Sequence, residues 1–223
     1  MSMILVPSRG PEDWQRLLAE PGKQWRDGYS AKMLAECWER AQGFPEAVRQ
    51  AFERSGIEAL AEIEPLLVLP EYQTPLPGGR KPSQTDVFVL AKARGGLVAI
   101  AVEGKVEEPF GPTVGEWKAE PTPGKAERLR FLCDVLGLCA DAVGSLRYQL
   151  LHRTASAILE AQRFTARHAV MLVHSFSPSG TWYEDFEAFL GVLGRQAARE
   201  TVTQVGKRSE VELYCGWVSG EAG

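Results

Sequence analysis

Apolar and polar positions change period several times along the chain, and each change marks an element. Over Pro11 to Glu20, Trp14, Leu17 and Leu18 recur at helical spacing, and Pro21-Gly22 reads as a stop. A second helix is predicted over Ser30 to Gln42, with Met33, Leu34, Cys37, Trp38 and Ala41 on one stripe ahead of Gly43. A third runs from Pro45 to Leu60, broken near Gly56. The pattern then turns strand-like: IEPLLVLPEY within Glu62 to Tyr72, then Val87 to Ala93 and Leu97 to Val102, the last two joined into a hairpin by a Gly95-Gly96 turn. Helical spacing returns at Gly124 to Gly137, with Leu129, Leu132, Cys133 and Leu136 inward and Arg128 and Arg130 on outer faces. It returns again at Leu146 to Ala161, where Leu150, Leu151, Ile158 and Leu159 mark the buried side. A strand over His168 to Phe176, a helix over Trp182 to Arg199, a strand over Val211 to Val218 and a frayed tail, SGEAG, complete the chain.

This order predicts an α/β (α+β) fold, a central mixed β-sheet flanked by helices, with extra helices at the N-terminal end. At 223 residues and 44% hydrophobic, the chain fits a single domain over 1–223. Cys37, Cys133, Cys139 and Cys215 lie in apolar surroundings without metal-ligand spacing and read as core thiols. No apolar run reaches the roughly 20 residues of a membrane helix, and Met1 to Arg9 lacks signal-peptide character, so a cytoplasmic chain without a membrane partner is expected. Phosphate-binding glycine loops and nucleophile elbows are absent from the sequence, which disfavours nucleotide hydrolysis, nicotinamide chemistry and esterase chemistry. The net charge of −4 argues against non-specific nucleic-acid binding. Its distribution is uneven, however: residues 1–72 hold eight Lys/Arg against twelve Asp/Glu, and residues 125–170 hold seven against four.

The candidate chemistry lies on the hairpin. Asp86 opens its first strand, and Glu103 and Lys105 close its second. Residues two apart on a strand share a face, so Glu103 and Lys105 project together, and antiparallel pairing brings Asp86 beside them. Two carboxylates and an ammonium at the end of apolar strands are costly to bury unless paired or bound to metal. A hard cation, Mg²⁺ or Mn²⁺, held by Asp86, Glu103 and the Gly104 carbonyl would relieve that cost, and Lys105 would orient the attacking water. A solvated strand end with a surface ion pair is the alternative. Glu71, at the end of the preceding strand, and Glu36, which also suits an i, i+4 pair with Lys32, are two further candidate ligands. Glu107 and Glu108 add acid just beyond Lys105, in a Pro/Gly-rich stretch suited to a substrate-facing loop. On the helix from Leu146, Gln149, His152 and Arg153 fall at i, i+3 and i+4 on one face, with Arg147 just ahead of them. His174 shares a face with Phe176 and reads as structural.

Asp86, with Glu-x-Lys beginning seventeen positions later at a strand end, resembles the core of the PD-(D/E)XK nuclease superfamily, the restriction-endonuclease-like fold. The resemblance covers Ser30 to Phe176. It implies a nuclease-like core over 30–176 and a metal-dependent phosphodiesterase acting on nucleic acid, DNA ahead of RNA. Asp86 and Glu103 would be metal ligands and Lys105 would position the water. Gln149 and His152 would contact the water or the scissile group, and Arg153 and Arg147 the phosphates. Thr85 stands where the family's proline usually precedes the aspartate. A catalytically inactive binding or assembly module of the same fold, and an enzyme of that fold acting on a small phosphorylated molecule, are the alternatives. Oligomeric state, a homodimer included, stays open.

Overall fold

The computed structural model describes residues 8–41 and 43–220. The signal-peptide reading of Met1 to Arg9 falls mostly outside them, as do Gln42 and all but the first two residues of the SGEAG tail. A 3₁₀ turn, Pro11–Leu17, leads into α1 (Pro21–Gln24), α2 (Ser30–Arg40) and α3 (Glu46–Ser55). Pro21-Gly22 therefore opens a short helix rather than stopping one, as proline's fixed φ and missing N–H suit a first helical turn. Three strands follow, β1 (Glu64–Thr74), β2 (Ser83–Ala93) and β3 (Gly96–Lys105). Then come α4 (Val114–Trp117), α5 (Pro123–Leu136), α6 (Tyr148–Arg163), β4 (His168–Ser175), α7 (Tyr183–Val192), β5 (Thr201–Arg208) and β6 (Val211–Ser219).

The six strands form one mixed sheet in the order β1-β2-β3-β4-β6-β5. β1, β2 and β3 pair antiparallel; β3, β4 and β6 run parallel; β5 returns antiparallel along β6. Helices cover both faces. Phe88, Ala101, Met171 and Trp217 pack with Leu132, Leu150, Leu151 and Phe186 on the α5–α6–α7 side, and Val87, Ile100, Val170 and Tyr214 pack with Trp14, Leu34, Val48 and Phe52 on the other. A strand buried on both faces has no polar side to show, which is why β3 and β4 read as nearly continuous apolar runs.

Several expectations change. The β2–β3 turn is Arg94-Gly95, with Ala93 paired to Gly96. The helix predicted over Trp182 to Arg199 ends at Val192, and the edge strand β5 follows it. β5 has one buried valine on each face, Val202 on the α2–α3 side and Val205 on the other, with a bulge between Gln204 and Gly206, so it shows no period-2 signal. Arg128 is buried rather than outward: its guanidinium donates to the carbonyls of Leu76, Pro77 and Gly79, pinning the loop that leads into β2. Cys139 is exposed, whereas Cys133 and Cys215 are buried and Cys37 is half-buried.

Gly104 fixes the position of α2. Glu103 and Lys105 point to the α6 face, so position 104 points the other way, and a Cβ there would meet Leu34 Cδ1 at 2.3 Å and Ser30 Cβ at 3.2 Å. Only a missing side chain lets α2 rest on the strand. Gly104→Ala should therefore lower stability by about 1–3 kcal/mol, the usual range for overpacking. Adding Leu34→Ala, which empties the space the new methyl needs, should cost less than the sum of the single changes in a denaturant-unfolding double-mutant cycle. Simple additivity would show that α2 does not bear on this glycine.

Candidate active site

β2 and β3 pair in a register that carries Val87 opposite Val102, so their next residues, Asp86 and Glu103, lie side by side on the face turned to α6. α6 crosses that end of β3, and its i, i+4 pair, Gln149 and Arg153, closes on Glu103. Gln149 Nε2 donates to Oε1 at 2.5 Å, Lys105 Nζ to the same oxygen at 2.8 Å, and Arg153 Nε to Oε2 at 2.5 Å. Glu103 is 2% exposed, and both its oxygens are engaged. Burial pushes its carboxyl up, but Arg153 and Lys105 together outweigh burial and hold it below the ordinary range. Lys105, itself buried, also rests 4.9 Å from the centroid of the Phe110 ring.

Asp86 is placed differently. Its Oδ2 accepts the Gly104 N–H at 2.8 Å, while among the described residues Oδ1 meets only the far end of Arg153, at 3.9 Å. Burial first, and then the neighbouring Glu103 charge, raise its carboxyl to about 7. Glu71 stands between Pro70 and Tyr72, which pair with Val87 and Thr85, and so falls alongside Asp86. Burial and the Asp86 charge push Glu71 well above the ordinary range, although Gln84 donates to it at 2.7 Å. Its φ of 51° is left-handed, an uncommon conformation for a glutamate in a strand.

These groups line a cavity of about 510 Å³ in which four carboxylates, Glu71, Asp86, Glu103 and Glu108, face two cations, Lys105 and Arg153. His152 also lines it, with Nδ1 2.8 Å from Ser83 Oγ; burial, then Arg153 and Arg128, hold the ring well below its ordinary value, so it is neutral. Of the residues singled out in the sequence, Asp86, Glu103, Lys105, Gln149, His152, Arg153 and Glu71 meet here. Glu36 does not; it lies on α2, 3.9 Å from Lys32, as the i, i+4 alternative foresaw. Arg147 is also elsewhere: it precedes α6 and donates to Asp185 in the first turn of α7 and to the Gly111 carbonyl, tying that helix to a loop rather than facing the cavity. Glu107 turns to Ser177 and Thr181. Glu108, placed near the site from its position just beyond Lys105, does line the cavity and accepts the Ser30 N–H at the start of α2; the sequence reading missed Ser83, which accepts from Arg153 and contacts His152. Polar residues beginning an otherwise apolar strand, as Ser83 and Gln84 do, were the available signal.

Among the described residues, no three His, Cys, Asp or Glu side chains are gathered as a metal cluster. The donor set is an open one of oxygens. Asp86 has a carboxylate oxygen with only a distant partner, Glu103 can exchange an internal donor, and Gly104 presents its carbonyl on the strand edge from which its N–H meets Asp86. Such a set, in surplus negative charge, suits a hard cation.

The surplus has a measurable consequence. A carboxyl raised on folding makes the native state bind more protons than the unfolded chain, so Asp86 and Glu71 cost stability as pH climbs from the ordinary aspartate value of 3.8 to about 7. Glu103, held low, instead contributes stability that is lost on acidification. In chelator, the melting temperature should fall from about pH 5 to about pH 8, and Asp86→Asn should flatten that slope. An unchanged slope in the variant would place the surplus elsewhere.

Residues 7–222 match the model of a domain of unknown function, DUF6946. No curated protein and no solved structure matches the chain. With nearly its whole length covered by that one model, the chain belongs to the DUF6946 family.

Proposed function

We propose that this chain is a metal-dependent phosphodiesterase of the PD-(D/E)XK type that hydrolyses nucleic acid, DNA ahead of RNA, with Mg²⁺ or Mn²⁺. The observation that carries the reading is the Asp86–Glu103–Lys105 group at one end of the hairpin, closed over by Gln149 and Arg153 and short of positive charge. Asp86, Glu103 and the Gly104 carbonyl would hold the ion, with Glu71 adjoining. When bound, the ion lowers the pKa of a water and screens charge developing on the phosphate.

The chain's own residues supply the rest. Lys105 Nζ, fixed by Glu103 and by the Phe110 ring, directs an ammonium hydrogen at a nucleophilic water. Arg153 brings N–H groups and a permanent charge to the phosphate oxygens. Gln149 holds Glu103 and orients the water through its amide. His152, neutral and fixed by Ser83, serves as a hydrogen-bonding group rather than as a cation. Preorganised donors of this kind act without reorganisation during the reaction.

A second reading rests on the acid-rich lining and the 510 Å³ volume, which suit a compact phosphorylated molecule better than a long polyanion. Mg²⁺- and Mn²⁺-dependent cleavage of single- and double-stranded DNA and RNA is the test, with wild type compared to Asp86→Ala and Lys105→Ala. Each substitution should lower the rate by at least about 10²-fold. Equal rates in all three proteins would end the assignment, and inhibition by mononucleotides in preference to oligonucleotides would favour the second reading. Calorimetry should show Mn²⁺ binding that Glu103→Ala removes; no binding would leave a non-catalytic module of the same fold.

A further inference from the structure

On the α2–α3 face of the sheet, the carboxyl ends of β4 and β6 open into another cavity, of about 620 Å³. His174 lines it. The ring is fully buried, and among the described residues neither of its nitrogens has a hydrogen-bond partner. A neutral imidazole carries one N–H and one lone pair, and an unmatched polar group in the interior costs about 1–3 kcal/mol. The proposed hydrolysis makes no use of this residue. Next to it, with ring centroids 6.5 Å apart, the buried indole N–H of Trp38 is unmatched as well. Packing alone does not account for the imidazole, since a phenyl ring would make the same contact with Phe176, 4.5 Å away, at no polar cost. Gly220 is part of the cavity wall, and a Cβ there would come within 2.6 Å of Nε2, so the chain approaches the imidazole edge only because this residue has no side chain.

The rest of the wall favours negative charge. Arg40 donates Nε to the Glu36 carbonyl and Arg54 donates to the Gln50 amide oxygen, both neutral partners that leave each guanidinium with further N–H groups. The two acids do not cancel the arginines: Arg49 matches the Glu46 charge, which leaves Glu200 alone against Arg40 and Arg54. Glu46 accepts from Arg49 and Gln50, and Glu200 accepts the backbone N–H and the hydroxyl of Ser219. α3, ten residues long, begins at the cavity with Pro45, Glu46 and Ala47, and its cap supplies no side-chain acceptor for the first-turn N–H groups.

The geometry points to a binding site for a compact oxyanion, the phosphate or carboxylate of a small molecule, held by the His174 imidazole, Arg40, Arg54 and the first turn of α3. Burial holds His174 down to about 3, so the ring meets the ligand as a neutral N–H donor while the arginines supply the charge. The site is separate from the acidic cavity and does not depend on the hydrolytic reading.

The test is titration of the full chain, labelled with ¹⁵N-histidine, with inorganic phosphate and in parallel with acetate, at constant ionic strength. Only three histidines are present, and His174→Phe assigns the resonance. The His174 ring signals should shift saturably with one of the two anions, which identifies the ligand chemistry. By calorimetry His174→Phe should weaken that anion about tenfold or more, the worth of one charge-assisted hydrogen bond. The surface pair Arg40→Gln/Arg54→Gln, which leaves the core intact, should weaken it as much or more, so the test stands even if His174→Phe folds poorly. Lys92→Gln, an exposed change on β2 that lines neither cavity, should leave affinity unchanged. His174 signals unmoved by either anion, or binding that survives the arginine pair, would overturn the proposal.

Discussion

The Glu103 carboxylate is the point at which sheet and helix are locked together. An ion this deeply buried loses several kcal/mol of hydration, and only close, well-aligned donors offset the loss. Three donors converge on it: Lys105 from its own strand, and Gln149 and Arg153 from α6. Because the two α6 residues are one turn apart, satisfying both fixes the rotation of that helix about its axis and its height against β3. The same guanidinium also reaches Ser83, which touches His152, so the entry to β2 is tied to the helix through one charge. Removing a single partner would leave an uncompensated buried charge, typically a larger loss than deleting the whole pair.

Satisfying Glu103 in this way leaves its neighbours short. Lys105 and Arg153 are spent mainly on one carboxylate, and Asp86 and Glu71 share what remains. This explains why three acids within one cavity titrate in opposite directions: Glu103 is held low, whereas Asp86 and Glu71 are driven up. A fold selected for stability alone would have little reason to keep that arrangement, since an amide at either position would remove the repulsion. Local conflicts of this kind are characteristic of positions kept for what they bind. The left-handed φ of Glu71 belongs to the same account, as a backbone cost at the same place.

Asp86, Glu103, Lys105 and the Gln149–His152–Arg153 face were legible because strand alternation and helix spacing decide direction locally, and one two-residue turn sets the register between the hairpin strands. Glu71 and Glu36 were not separable on the same terms. Glu71 sits at the end of a predicted strand and Glu36 in mid-helix, and only the pairing of β1 with β2, a contact between distant segments, brings the first to the cavity, while the second stays with Lys32. Arg128 shows the same limit: helical spacing put it outside, but a loop some fifty residues earlier wraps over it and makes its carbonyls available. β5 was hidden for a local reason: one buried valine on each face and a bulge leave none of the alternation on which strand recognition depends.

Both cavities lie at the carboxyl ends of the parallel strands β3, β4 and β6, the edge where open α/β sheets leave room between strand ends and helices. α2 is a wall common to both: Ser30 and Ala31 at its start line the acidic cavity, and Cys37 and Arg40 near its end line the one around His174. Eleven residues of helix span about 16 Å, so one rigid rod reaches both sites. What seats the rod is Gly104, between the two charged residues of the hairpin, with Leu34 pressed against its bare Cα. The glycine in Glu-x-Lys thus serves two faces of the sheet at once. On one it separates Glu103 from Lys105, so that both turn toward α6, and on the other it admits the helix whose two ends shape both cavities.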